Sequence, residues 1–267
     1  MGSRVIQLTD LHLLSEPEAR VRDVPTWSTL KLVLDLLREQ EEQDYCLVIT
    51  GDLAQDGERG AYERLVDWLQ EWRDRCVVIP GNHDNRSLLR EVLVLPLMSE
   101  QQDPDAICFS HQFGEWRLIG LDTQVPGAVL GTLSDRQLSW LGRELERHPD
   151  QPTILFTHHP PFSVCSSWAD GIGLTNREPF WQSISDHSQV RAVISGHVHQ
   201  EFAAMQGEVL CLTSPATSFQ FTPGSSEAQF DLVSPGFRVL RLDSDRVDSE
   251  VIRLSELAFP PRMSASD

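Results

Sequence analysis

The sequence predicts an α/β fold, and three observations carry that prediction. Short runs of Val, Ile and Leu, each the length of a buried strand, alternate with amphipathic stretches of helical period. Five of these runs end at their carboxyl side in Asp, Asn or His. After residue 200 the helical stretches fade and strand patterns follow one another.

Taken in order, "RVIQL" (4–8) opens the chain as a strand. Leu30, Val33, Leu34 and Leu37 then recur at i, i+3, i+4, i+7, the stripe of a surface helix. "YCLVIT" (45–50) is the second strand; Tyr62, Leu65, Val66 and Leu69 repeat the helical stripe. "CVVIP" (76–80) and "RLIGL" (117–121) are further strands. "SDRQLSWLGRELERH" (134–148) begins with a Ser-x-x-Gln capping box and carries Leu at 138, 141 and 145. "TILFT" (153–157) and "AVISG" (192–196) complete the first part. This β-α order predicts a largely parallel sheet covered by helices. "EFAAMQ", "VLCLTS", "FRVLRL" and "RVDSEVIRL" predict a second, more antiparallel sheet, interrupted by a long loop at 214–236. The expected organisation is a single domain over 1–258 with two packed sheets, and a frayed tail at 259–267.

Composition narrows the function. A formal net charge of −18 argues against a nucleic-acid-binding surface, because no broad positive field is available to neutralise phosphates. No apolar stretch approaches the roughly 20 residues of a membrane-spanning helix. The N-terminus runs almost directly into a strand without the pattern of a secretory signal, and the five scattered cysteines include no C-x-x-C pair. These features predict free thiols in a reducing cytoplasm. A homodimer is left open.

The strand ends carry the chemistry. "VIQL" leads to Asp10 and His12, "CLVIT" to Asp52, "VVIP" to Asn82, His83 and Asp84, "ILFT" to His158 and His159, and "AVIS" to His197 and His199. Six of the nine histidines fall in these five places. Each motif alone has a plain structural reading as a turn, an N-cap or a rigid Pro bend. All five coinciding in register with strand ends points instead to one metal-binding cleft at the carboxyl edge of the sheet. Carboxylate, amide oxygen and imidazole without thiolate suit Mn, Fe, Zn or a similar first-row ion rather than Ca. Seven side chains are too many for one ion and suit two ions sharing a bridging carboxylate, the arrangement used for in-line displacement at phosphorus.

In this order the motifs D-x-H, G-D, G-N-H-[DE], H and G-H-x-H resemble those of the calcineurin-like metallophosphoesterases, from Asp10 to His199. The resemblance implies a four-layer α/β/β/α sandwich of two mixed sheets with a dinuclear centre at one edge. It implies that Asp10, His12 and His199 bind one ion and Asn82, His158 and His197 the other, with Asp52 bridging. The ions implied are Mn or Fe, with Zn or Co as alternatives. The substrate would meet His12, Asp52, Asn82, His83 and His199. His83 would act catalytically, with Asp84 orienting its ring, while His159 packs behind the ligands.

"GDLAQDGERGAYERL" (51–65) and "SFQFTPGSSEAQFDLVSPGFRVLRL" (218–242) resemble the bacterial class III cyclic-nucleotide phosphodiesterases. That implies hydrolysis of 3′,5′-cyclic AMP to 5′-AMP by a metal-bridging hydroxide. Two alternatives remain: a related enzyme with another preferred ester, such as a nucleotide pyrophosphatase or a general phosphodiesterase, and a non-catalytic scaffold. Phe219, Phe221, Phe230 and Trp168 are either a stacking wall for a purine or the filling of a satellite core or subunit contact.

Overall fold

The structure is a computed structural model that describes residues 3–40, 44–95 and 105–263. Two mixed sheets pack face to face. The first has the order β13-β12-β1-β2-β3, and the second β4-β5-β6-β7-β9-β8. In the first sheet β1 (Ser3–Leu8), β2 (Tyr45–Thr50) and β3 (Cys76–Ile79) are parallel. Antiparallel β12 (Gly236–Asp243) and β13 (Arg246–Arg253) extend it beyond β1. In the second, β5 (Trp116–Leu121), β6 (Thr153–Thr157), β7 (Val190–Ser195) and β9 (Val209–Thr213) are parallel. Antiparallel β4 (Phe109–Phe113) and β8 (Phe202–Gln206) form its two edges.

The strands after residue 200 therefore do not make a sheet of their own. β8 and β9 join one sheet and β12 and β13 the other. An apolar run states that a strand is buried, but its partner is chosen by long-range register that local composition does not encode. For the same reason the expected single parallel sheet is two parallel groups in different sheets.

Alternation along the strands shows four layers. Val5, Cys46, Val48, Val77 and Ile79 point between the sheets, where they meet Leu118, Ile154, Phe156, Ala192 and Ile194. Their sequence neighbours Ile6, Leu47, Ile49 and Val78 face the other way, onto helices α1 (Thr26–Arg38) and α2 (Arg59–Trp68). Ile119, Leu155 and Val193 likewise face outward onto α4 (Asp135–Arg147) and α6 (Arg177–Ile184), while α3 (Arg86–Val92) and α5 (Ser167–Gly171) are shorter additions. Both faces of each sheet are covered, which explains the near-continuous apolar runs.

The predicted helical stripes bury Leu30, Val33, Leu34 and Leu37 in α1 and Leu141 and Leu145 in α4. Ser134 caps α4 by accepting from the Gln137 N–H at 3.2 Å, yet Gln137 does not return the bond. Its amide is clamped on the main chain of Asp122, so only half of the capping box forms.

The C-terminal segment through Met263 is held rather than frayed. The Arg262 N–H donates to Arg22 O at 2.9 Å and its guanidinium pairs with Asp23. Residues 264–267 of the expected tail lie outside the described residues. No helix among the described residues is long and apolar enough to cross a membrane, and all five cysteines are free thiols.

Candidate metal centre and active site

The parallel strands β1, β2 and β3 of one sheet and β6 and β7 of the other end side by side. Past those ends the loops stay joined: Asp10 N–H donates to Gly51 O at 3.1 Å and His12 N–H to Asp52 O at 2.9 Å. The second sheet stays joined likewise, Gly196 N–H donating to His158 O at 3.1 Å, and the two sheets meet where the His197 N–H donates to Asp10 Oδ2 at 3.0 Å. A Cβ on Gly196 would collide with Thr9 Oγ1, and one on Gly81 with the Asp52 carboxylate. The approach of the backbones requires glycine at both.

Backbone strain concentrates here. Nine described non-glycine residues have positive φ, and five of them are Asp10, His12, Asp52, His197 and His199. Each such residue costs on the order of 1–3 kcal/mol and persists only where the surroundings impose it. The strain therefore marks a built site rather than a set of loose turns.

Two groups of side chains converge. In the first, His12 Nε2 lies 3.1 Å from His199 Nε2, which is 3.3 Å from Asp10 Oδ1. In the second, His158 Nε2 lies 3.2 Å from Asn82 Oδ1, and the His197 ring centroid is 5.0 Å from that of His158. Asp52 Oδ2 stands between them, 3.6 Å from His12 Nε2 and 3.4 Å from His158 Nε2. The seven residues read from the strand ends are thus brought together.

Oxygen acceptors set the tautomers. His158 Nδ1 donates to Thr50 O at 2.7 Å, His199 Nδ1 to Phe219 O at 2.8 Å, and His197 Nε2 to Ile172 O at 3.1 Å. His12 Nδ1 donates to the Gln55 side-chain oxygen at 2.8 Å. In each neutral ring the other nitrogen is left with its lone pair. The Nε2 atoms of His12 and His199 then face each other lone pair to lone pair, an arrangement that calls for a shared cation.

The charges agree. Burial opposes ionisation of Asp10, yet the adjoining His199 brings its carboxyl down to about 2. Burial likewise opposes ionisation of Asp52, and His158 overrides it, holding the group well below the usual range. Burial pushes His12 down to about 3 and His197 well below the ordinary imidazole value. Two buried carboxylates set among buried imidazole rings fit a pair of divalent ions.

His158 is the exception: burial would lower it, but Asp52 raises it to about 9. Without metal its ring holds a proton at pH 7.5, stabilising the apo fold below about pH 6.5 and losing that contribution as pH rises through about 9. Metal must displace that proton. Calorimetric titration with Mn²⁺ in buffers of different ionisation heat should show about one proton released per pair of ions bound at pH 7.5, from the site that His158 serves. Affinity should fall about tenfold per pH unit below 8.

His83 N–H donates to Asp52 Oδ1 at 2.9 Å, and its ring donates from Nδ1 to Gln55 O at 2.7 Å, leaving Nε2 for the cleft. Asp84 does not orient that ring, contrary to expectation. Its buried carboxylate accepts from the N–H groups of Gly81, Leu53 and Ala54 at 2.9, 3.2 and 3.0 Å, and from Tyr62 Oη at 3.0 Å. Burial, reinforced by Asp52, pushes its pKa up to about 6. It ties the loop after β2 to the loop after β3. Asp84→Asn turns an amide toward donors, so a loss of about 2 kcal/mol and a Tm lower by roughly 4–8 °C are expected. Thermal unfolding checks this.

His159 lies behind the group. Its Nδ1 accepts from Thr123 Oγ1 at 2.7 Å and its Nε2 donates to Val129 O at 2.9 Å, so neither nitrogen is offered to an ion.

Residues 3–201 match the model of the calcineurin-like phosphoesterase family. The chain belongs to the calcineurin-like phosphoesterases. Among curated proteins it is 34% identical to the 3′,5′-cyclic adenosine monophosphate phosphodiesterase CpdA of Vibrio vulnificus, covering 98% of this chain and 94% of the relative. It is 35% identical to a 3′,5′-cyclic-nucleotide phosphodiesterase of Nostoc sp., covering 90% and 88%. Among solved structures, a dimetal phosphatase from Danio rerio superposes with a TM-score of 0.71 at 19% identity, covering 95% of this chain and 97% of that one. That likeness concerns the fold.

In this calcineurin-like phosphoesterase a cleft of about 340 Å³ opens over the centre. It is lined by His12, Asp52, Asn82 and His83 and by an aromatic wall of Trp168, Phe221 and Phe230, which adjoins the ligands where the Phe221 ring lies 4.9 Å from that of His199. The 214–236 loop folds over the site as a short hairpin, β10 (Gln220–Phe221) with β11 (Phe230–Asp231). Phe219 lies parallel to the His12 ring with centroids 5.5 Å apart, and Phe221 stacks on Phe230 at 5.3 Å. The aromatics therefore wall the cleft as well as filling space beside the histidines.

Sequence reasoning missed Gln55, which holds His12 through its side chain and His83 through its carbonyl. It also missed Thr9 and Ser218, which bond the Asp10 carboxylate and carbonyl. Adjacency to Asp10 was the available signal for Thr9; Gln55 and Ser218 had none.

Proposed function

We propose that this chain is a metal-dependent phosphodiesterase that hydrolyses 3′,5′-cyclic AMP to 5′-AMP. The observation that carries the proposal is a single cleft lined by two groups of imidazole and carboxylate ligands and by an aromatic wall. The relatives in Vibrio and Nostoc, named for cyclic-nucleotide hydrolysis and matched over most of their length, supply the substrate. A volume of about 340 Å³ lies at the small end of ligand sites, suited to a compact diester. The net charge of −18 argues against a polynucleotide.

In this reading Asp10, His12 and His199 hold one ion, Asn82, His158 and His197 the other, and Asp52 both. Mn or Fe are the ions proposed, on donor chemistry. Such ions supply Lewis acidity toward a phosphoryl oxygen and a nucleophile at neutral pH. The protein's own groups do the rest. Gln55 and the carbonyls of Thr50, Ile172 and Phe219 hold the ligand rings in one tautomer. His83, fixed by Gln55 O through Nδ1, presents Nε2 to the phosphate and, in its imidazolium form with a proton on both nitrogens, donates the Nε2 proton to the leaving ribose oxygen and becomes neutral. The aromatic wall receives the purine and excludes water. Residues 1–258 work as one unit because ligands come from both sheets, and the free thiols suit a reducing cytoplasm.

The test is kcat/KM for 3′,5′-cyclic AMP, 3′,5′-cyclic GMP, 2′,3′-cyclic AMP and ADP-ribose on the metal-loaded protein. Preference for cyclic AMP is expected. Preference for another of the four overturns the substrate, and no turnover of these or of bis(p-nitrophenyl) phosphate with Mn, Fe, Co or Zn overturns the enzyme.

A further inference from the structure

Among the described residues lining the cleft, Arg22 is the one lysine or arginine. It stands at the aromatic wall, its guanidinium carbon over the Phe230 ring, 5.9 Å from the centroid. How it is delivered there is unusual. Val21 and Val24 exchange both main-chain hydrogen bonds, N–H to O at 3.0 and 2.9 Å, so Arg22 and Asp23 are the two central residues of a tight hairpin. Both have positive φ, 50° and 70°. Such a turn is ordinarily made with Asn or Gly, and a long side chain at the first central position carries strain.

What imposes the strain is the C-terminal segment. Arg262 binds the turn twice, donating its backbone N–H to Arg22 O at 2.9 Å and two guanidinium N–H groups to the Asp23 carboxylate, both at 3.1 Å. The Arg20 guanidinium donates to Asp23 O at 2.9 Å. Preceding Arg262, Pro261 is buried, so the strap is seated rather than draped over the surface. A strained turn clamped from behind, with its one long side chain laid along a substrate cleft, is a device for aiming that side chain.

We propose that Arg22 is a specificity-determining residue that contacts the nucleoside half of the substrate, and that Arg262 is a positioning residue that holds it there. The planar guanidinium, resting on the edge of the aromatic wall, donates to the ring nitrogens of a purine seated against that wall. The phosphate is bound beside that wall, where the ligands and His83 line the same cleft. The proposal rests on the cyclic-nucleotide reading and deepens it.

The experiment compares two diesters on the metal-loaded full chain: 3′,5′-cyclic AMP, and bis(p-nitrophenyl) phosphate, which has no nucleoside. In Arg22→Ala the ratio of kcat/KM for cyclic AMP to that for the nitrophenyl ester should fall about tenfold, through a higher KM for cyclic AMP. Arg22→Lys should restore little of it, because an ammonium lacks the planar fork. Arg262→Ala should lower the same ratio about threefold, and in the double variant its effect should vanish. A ratio within twofold of wild type in Arg22→Ala overturns the proposal, as does a parallel fall for both esters, which would put Arg22 on the phosphate. Additive effects in the double variant overturn the positioning role of Arg262. If the wild type turns over the nitrophenyl ester but not cyclic AMP, the substrate reading fails and this proposal falls with it.

Discussion

Asp52→Ala should remove metal and activity together. Asp52 Oδ2 stands within 3.6 Å of a nitrogen in each ligand group, and its Oδ1 receives the His83 N–H. On the proposed assignment, loss of the carboxylate would take a charged ligand from both ions at once. At about 3 kcal/mol for each broken buried contact, the two losses combine to about 10⁴ in occupancy of the pair. Turnover of cyclic AMP and of bis(p-nitrophenyl) phosphate should both fall by at least about that factor, since neither escapes the need for the centre. Metal analysis after gel filtration and steady-state rates are the measurements. A variant that keeps two equivalents of metal would show that Asp52 does not bridge. His158 supplies an internal check: its elevated value of about 9 depends chiefly on Asp52, so the ring should titrate at lower pH in the variant.

His83→Ala should separate the two properties that Asp52→Ala loses together. The His83 ring is held through Nδ1 by the Gln55 carbonyl and is free at Nε2 toward the cleft. Removing it leaves all seven proposed ligands in place, so metal content should match wild type. Turnover of cyclic AMP should fall by about 10²–10⁴, the range for a positioned acid or base. The loss should be smaller for bis(p-nitrophenyl) phosphate, whose nitrophenolate departs without needing a proton, whereas a ribose oxygen does not. Equal losses for both esters would place His83 on the phosphoryl oxygens instead of the leaving oxygen. Loss of metal from the variant would make it a ligand, a role open to it geometrically because its ring lies near His12 and Asp52.

The strand ends were legible because they combine two strong local signals. An apolar run marks a buried strand, and an ionisable residue directly after it must sit at the sheet edge. That reasoning reached Asp10, His12, Asp52, Asn82, His83, Asp84, His158, His159, His197 and His199 without any knowledge of which strands are neighbours, and the family resemblance then singled out seven of them as ligands. It could not see Gln55, whose role depends on a loop of another strand, or the carbonyls of Thr50, Ile172 and Phe219, because a backbone acceptor has no sequence signature. Asp84 was misread for a related reason. The family resemblance implied a bond to the His83 ring, but the chain turns so that its carboxylate faces Gly81, Leu53, Ala54 and Tyr62.

The GHVH pair shows where the boundary falls. Gly196, His197, Val198 and His199 announce a close-packed backbone, two ligands and a packed residue between them, and Val198 is fully buried. That much follows from residue chemistry, as do the strands, the helical stripes and the choice of an N/O-liganded metal. The partner of each histidine does not. His199 meets His12 and Asp10 across the inter-sheet boundary, 187 and 189 positions away, and His197 lies beside His158. The distribution of late strands between the two sheets, the closure of the 214–236 hairpin over the cleft and the clamp of Arg262 on Arg22 are of the same kind. Local sequence sets what each segment can offer through periodicity and side-chain chemistry. Contacts between distant segments are set by register and by competition among many possible pairings, so only the folded chain decides them.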